Sequence, residues 1–255
     1  MNTFSIGEMI TFGWETFKRR PWFFVGAVCL LLVVQFALQM LSAIPVLGFI
    51  FSVVAGIFVG MGMIRLFLGA HDSVETASFA VFKNTVGFWR YIGAGILKGA
   101  ITAGPIFVAG IVAAMSIGAL AQASGKPTMG SSSVLLVVII ALLAVAWMLY
   151  ASARLTFVQY LVLDAGKGPG DAIKESFRAT QHVAGKIILF TIVLGLLNIL
   201  GAIALLVGLL VSIPVSLLAM AHLYRTLCPN AVVSDAPAPA NPVTTPPAPG
   251  HTPVA

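Results

Sequence analysis

The chain reads as an all-α membrane protein: a polytopic helical bundle of about six spans, in three parallel repeats of an amphipathic surface helix plus a helical hairpin. Three observations predict this. Hydrophobic residues make up 59% of the 255 residues and the mean hydropathy is +1.04, far above a soluble globular domain. Runs of about 20 mostly apolar residues, the length a bilayer core demands, recur along the sequence. A short charged motif also returns: Gly7, Glu8, Ile10 and Trp14 share their spacing with Gly170, Asp171, Ile173 and Phe177. A transmembrane barrel would need alternating strands of about ten residues, and no such alternation appears.

The first surface segment is IGEMITFGWETFKRR. As a helix it places Ile6, Ile10, Gly13 and Phe17 on one face and Glu8, Thr11, Glu15 and Lys18 on another. Ser5-Ile6-Gly7-Glu8 fits a capping box, with Phe4 placed to staple against Met9. Lys18, Arg19 and Arg20 suit the negative end of the helix dipole, and Pro21 ends the helix and opens the next. Glu8 and Glu15 precede the first apolar run, unlike the short basic lead of a secretory signal. The run from Trp22 to Leu41 is therefore expected to be a retained span. Gln35 and Gln39 share one of its faces and are candidate buried polar residues.

The spans fall at roughly 22–42, 47–68, 91–121, 134–163, 186–207 and 209–227. The third and fourth exceed what a bilayer needs, so they tilt or extend past it. The last two are nearly fused. A single helix over 186–227 would reach about 60 Å, twice a hydrocarbon core, so a tight hairpin is expected, with Gly201, Gly208 and Pro214 as the available breakers.

The later units follow the same plan. Ile173, Phe177, Thr180 and Ala184 form an apolar stripe, Lys174, Arg178 and His182 a basic one, and Asp171 can cap the start. The middle segment, DSVETASFAVFKNTVGFWR, matches less well: Asp72 and Glu75 open it, Phe79 and Phe82 face inward, and Trp89-Arg90 lead into the third span. Such helices lie flat at headgroup level. The membrane domain covers 1–228, with repeats of about 4–70, 72–164 and 170–227. Residues 229–255 form a Pro/Ala-rich tail, expected to be disordered. Each returning span carries an arginine, in GMIRLFLGAHD, SARLTFVQYLVLDAG and AHLYRTLC. Arg65, Arg154 and Arg225 should thus share one depth, as interface anchors or as sites for lipid headgroups, since a guanidinium matches phosphate bidentately.

Charge gives the orientation. With the N-terminus inside, Lys18, Arg19, Arg20, Arg65, Lys83, Arg90, Arg154, Lys167, Lys174, Arg178, Lys186 and Arg225 all lie on or near the inner side. Lys98, about two turns into its span, can snorkel there, and Lys126 alone lies outside. The positive-inside rule then puts both termini in the cytoplasm of a bacterial inner membrane. The net charge of +6 faces lipid in this arrangement, and no nucleic-acid partner is expected.

The chemistry-bearing residues are few. His71, His182, His222 and His251 form no metal-ligand motif, and neither a P-loop nor a dinucleotide fingerprint occurs. No cofactor is expected. Cys29 and Cys228 read as small apolar fillers. Gly56/Gly60 and Gly95/Gly99 suit close helix packing. Asn198, near the middle of the fifth span, joins Gln35 and Gln39 as a candidate buried polar residue. No acidic residue lies mid-span, which argues against a carboxylate relay for protons or cations. The function expected is a non-enzymatic accessory or lipid-interacting scaffold, with membrane lipids, anionic headgroups included, as partners. The alternative is a transporter or permease for a small or amphiphilic solute. A closed bundle favours the first; a polar vestibule reaching Asn198 favours the second.

Two blocks, RLTFVQYLVLDAGKGPGDAIKESFRATQ and VLGLLNILGAIALLVGLLVSIPVSLLAMAHLYR, carry a resemblance that is best over 150–227. They resemble a broad bacterial family of integral membrane proteins that includes the membrane domain fused to some glycerophosphoryl diester phosphodiesterases. The resemblance implies a membrane fold. Diesterase chemistry in that family belongs to a separate barrel domain with metal-binding Glu and His residues, so the resemblance implies no hydrolase activity for this chain.

Overall fold

A computed structural model describes residues 4–41, 45–124, 131–204 and 207–229. Among these the chain is helical, with no strand. In order come α1 (Ile6–Arg19), α2 (Pro21–Leu41), α3 (Pro45–Asp72), a short 3₁₀ helix (Phe79–Lys83), α4 (Phe88–Ser124), α5 (Ser131–Arg154), α6 (Val158–Asp164), α7 (Pro169–Thr180), α8 (Ala184–Ile203) and α9 (Leu209–Leu227). Six stretches are long and apolar enough to cross a membrane: α2, α3 from Ile50, α4 as far as Met115, α5 with α6 from Leu135, α8 and α9. The expected all-α bundle of about six spans is thus present. The 229–255 tail, apart from its first residue, lies outside the described residues.

The three surface segments differ in how fully their sequences support a helix. In α1, Met9, Gly13, Thr16 and Phe17 are buried along one face. Ser5 precedes α1 in extended backbone, but its side chain makes no cap hydrogen bond. Its carbonyl instead accepts from the Met9 amide at 3.1 Å, so the capping box does not form. In α7 the residue before the helix is Gly168, and Pro169 opens the first turn. Asp171 sits inside that turn, where its charge meets the dipole rather than capping the end. The middle segment forms only the 3₁₀ turn. It is rich in aromatic and β-branched residues that favour no helix. Gly87, at φ +80, then turns the chain into α4.

Each surface segment packs on the returning helix of a hairpin: α1 on α9, the 3₁₀ turn on α3, and α7 on α6. The contact of α1 with α9 requires Gly13, where a Cβ would stand 2.5 Å from the Val215 carbonyl oxygen. Phe82 from the 3₁₀ turn lies over Gly62 in the same way, its ring 2.2 Å from where a Cβ would be. α7 docks on the end of α5, as Ser176 Oγ donates to the Arg154 carbonyl at 2.7 Å. That carbonyl is one of the acceptors a helix end leaves open.

The densest core sits at the end of the bundle that carries these segments, here called the basic end. Phe24, Phe67, Phe157, Phe190 and Tyr224 are fully buried there. Further along, α2, α3, α4 and α5 turn large apolar side chains outward, among them Phe36, Phe51, Phe107 and Leu142. A surface so apolar is the kind that meets a membrane. Gln35 and Gln39 belong to this outward half and are exposed, not buried. The two glutamines share a face as expected, and it is an exposed face of α2.

Two internal features explain long or closely spaced spans. α4 runs 37 residues with Pro105 inside it. Proline has no N–H for the carbonyl four residues earlier, and Trp147 of α5 supplies one, its Nε1–H donating to the Ile101 carbonyl at 3.2 Å. α8 and α9 form the expected tight hairpin. Gly201 and Gly208 touch through their backbones, and a Cβ on Gly208 would lie 2.5 Å from the Gly201 carbonyl oxygen. Across the pair, Asn198 Nδ2 donates to Ser216 Oγ at 3.1 Å and Ser212 Oγ donates to Asn198 Oδ1 at 2.8 Å.

Candidate functional site

The ends of α3, α6 and α9 are joined by one side chain. Arg225 of α9 forks onto Asp72, Nε to Oδ1 at 3.1 Å and Nη2 to Oδ2 at 2.6 Å. Its Nη1 donates to Asp164 Oδ2 at 2.6 Å, and the Tyr224 hydroxyl donates to the same oxygen at 2.9 Å. The Arg225 side chain is 12% exposed and Asp164 17%, while Asp72 remains 52% exposed. Such charge-assisted, bidentate pairs are the strong class of hydrogen bond. This cluster is a clamp that fixes the three helix ends.

Arg65, Arg154 and Arg225 are therefore not equivalent in the groups they engage. Arg225 lies level with Asp72, seven residues beyond Arg65 on α3, or about 10 Å along a helix axis. Arg65 donates to the carbonyls of Asn84 and Val86, tying α3 to the segment before α4. The Arg154 guanidinium lies 4.7 Å from the centre of the Phe177 ring, and its buried Nε has no acceptor among the described residues. All three are engaged with protein groups, which suits anchoring better than gathering headgroups.

Beside the clamp, His71 Nδ1 lies 3.0 Å from Asp72 Oδ1 and His71 Nε2 lies 3.0 Å from His222 Nδ1. Phe12 stacks on His222 with ring centres 4.0 Å apart. The carboxylate–imidazole pair has the form of a base and its orienting group. No hydroxyl or thiol among the described residues is hydrogen-bonded to either ring. Cys228 is buried, and burial, then the Glu175 carboxylate, push its thiol up to about 12. Cys29 instead faces outward on α2.

A cavity of about 580 Å³ opens on the flank of the bundle between α4, α5–α6, α8 and α9. That volume lies within the range of small-molecule sites, roughly 300–1,000 Å³. Along α8 its lining runs from Ile188 to Asn198, about 15 Å at the rise of a helix. Apolar side chains dominate, with Leu149 and Ile192 exposed at the rim. The Thr156, Ser152 and Thr191 hydroxyls donate back to carbonyls of their own helices, at 2.7, 3.0 and 2.9 Å. Their hydrogens are thus used locally. Lys98, Gln159 and Tyr160 also line the cavity. None of these three has a hydrogen-bond partner among the described residues.

Lys98 is the lining residue whose placement carries most weight. It is the only charged side chain among the described residues of the lining. A lone lysine at the centre of a span costs about 2.5–3.5 kcal/mol on insertion scales. The sequence marks it as a cation inside an apolar run, GILKGAITAGP, which invites the snorkelling interpretation. Gln159 and Tyr160 follow the break after Arg154, and nothing in their spacing points to a cavity. Of the expected buried polar residues, Asn198 does face this space, at its far end from the basic face. Comparison with protein-family models, with curated proteins and with solved structures finds no match.

Proposed function

We propose that this chain is a non-enzymatic multi-pass protein of a bacterial cytoplasmic membrane, with both termini cytoplasmic, that holds an amphiphile in its side-opening cavity. The observation that carries this reading is the cavity itself: unpartnered donors inside and exposed apolar residues at a rim that faces the bilayer. A solute taken from water would not need such a rim. The headgroup role expected of the arginine triplet passes to the cavity, and the arginines keep the role of anchors and clamps. The orientation is supported by the gathering of Arg20, Arg90, Lys167, Arg178 and Arg225 at one end, where Arg20, Arg90 and Arg225 bond to loops or helix ends and Lys167 and Arg178 pair with Glu175 of α7.

The test is to fill the cavity. Gly195 lines it, and a Cβ there meets nothing within 4 Å. Gly195→Trp should leave the fold intact and strip the lipid that stays with the purified protein after delipidation, read by native mass spectrometry. Full retention would defeat the proposal. A permease is the second reading, favoured by the extension of the cavity to Asn198. It requires flux of an amphiphile in proteoliposomes, which a holding protein lacks.

A further inference from the structure

We infer that the cavity selects an anionic amphiphile, its phosphate or carboxylate headgroup bound by Lys98 with Gln159 and Tyr160. This rests on the amphiphile reading above and names the ligand class for the same site. Lys98 is the sole formally charged residue of the described lining. On the helices packed against α4, Asp164 is held by Arg225 and Tyr224, Glu175 by Lys167 and Arg178, and Asp171 lies exposed in the first turn of α7. The hydroxyls nearby hold lone pairs, yet the ammonium bonds to none of them. Three residues whose polar groups can donate, without a hydrogen-bond partner among the described residues, line one space that has no negative charge in its lining, and an anion with several acceptor oxygens suits them.

Depth sets the rest of the ligand. Lys98 lies eight residues beyond Arg90, the residue that bonds the Gly166 carbonyl at the basic face. That separation is about 12 Å along α4, so the backbone carries Lys98 below the level of Arg90. A headgroup drawn to this depth needs its chain to leave sideways, and Leu149 and Ile192 line the exit. Inorganic phosphate shares the anionic chemistry but has nothing to place on that rim. A cationic amphiphile would meet the ammonium as a like charge.

The experiment uses the full chain in detergent, titrated with phosphatidylglycerol, phosphatidylcholine, oleate and inorganic phosphate, with tightly retained molecules counted by native mass spectrometry. Phosphatidylglycerol or oleate should be held more tightly than phosphatidylcholine by about fivefold to tenfold, the effect of one charge pair near a membrane. Lys98→Gln should remove that preference while phosphatidylcholine retention stays put, and Lys98→Arg should keep it. Lys98→Gln should melt no lower than the parent, because it removes an unpaired charge. An unchanged preference in Lys98→Gln overturns the assignment, as does displacement of lipid by inorganic phosphate alone. If Gly195→Trp empties the cavity of every lipid while Lys98→Gln changes nothing, the headgroup assignment fails and the amphiphile reading stands. If Gly195→Trp retains them all, the amphiphile reading fails first.

Discussion

Arg225 works because it has two fixed carboxylates to bind. A half-exposed ion pair contributes little, but the Arg225 and Asp164 side chains are largely withdrawn from solvent. Removing one member of such a pair leaves the other uncompensated, at a cost of about 3–5 kcal/mol in buried sites. Because Asp72 stays half exposed, Arg225→Gln is expected near the lower end, about 3 kcal/mol. Arg225→Lys should recover only part, since lysine keeps the charge without the fork. Thermal unfolding of the purified variants measures this, and full recovery by lysine would show that charge alone holds the clamp. At this scale the sequence is only half legible. Arg225 stands out as a cation after an apolar run, but its partners Asp72 and Asp164 lie 153 and 61 residues away. No local pattern announces pairs so distant. Gln35 and Gln39 mislead in the opposite sense: a polar pair on one helix face suggests an interface, and only the packing reveals that α2 turns that face outward.

Elements are far more legible, because composition and periodicity act locally. Hydropathy locates the spans, and the charged motif locates α1 and α7. The middle surface segment falls short of a helix for the same local reason, its aromatic and β-branched content. What hydropathy cannot convey is how α4 tolerates Pro105. There the answer lies on another helix, in the Trp147 indole bound to the freed Ile101 carbonyl. This makes a double-mutant cycle informative. Trp147→Phe alone should destabilise by about 0.6–1 kcal/mol, as expected for one hydrogen bond between membrane helices. In a Pro105→Ala background the alanine amide serves the same carbonyl, so Trp147→Phe should then cost almost nothing. Equal costs in both backgrounds would mean the indole acts by packing rather than as a donor.

On the scale of the whole molecule, the basic end is both the packed end and the charged end. Three returning helices meet there, three surface segments pack on them, and Arg20 and Arg90, each at the start of a hairpin, bond the loop that follows that same hairpin. That concentration of charge is legible in the sequence as an imbalance of lysine and arginine between alternate loops. The cavity is not, since its lining comes from four separate stretches of chain. The proposed orientation rests on the charge, because basic segments resist translocation. It can be tested with single cysteines placed in a background lacking Cys29 and Cys228. Lys174 lies exposed on α7 at the basic end, and Ser131 opens α5 at the opposite end of the α4–α5 hairpin. On intact cells an impermeant thiol reagent should label Ser131→Cys and spare Lys174→Cys until the membrane is opened. The reverse pattern would invert the protein and place the clamp, the histidine pair and the mouth of the cavity nearest Lys98 on the outer side. The selected headgroup would then be drawn from the other leaflet. The labelling result therefore also decides which leaflet supplies the ligand, and the lipid composition of that leaflet sets the anions the cavity can meet.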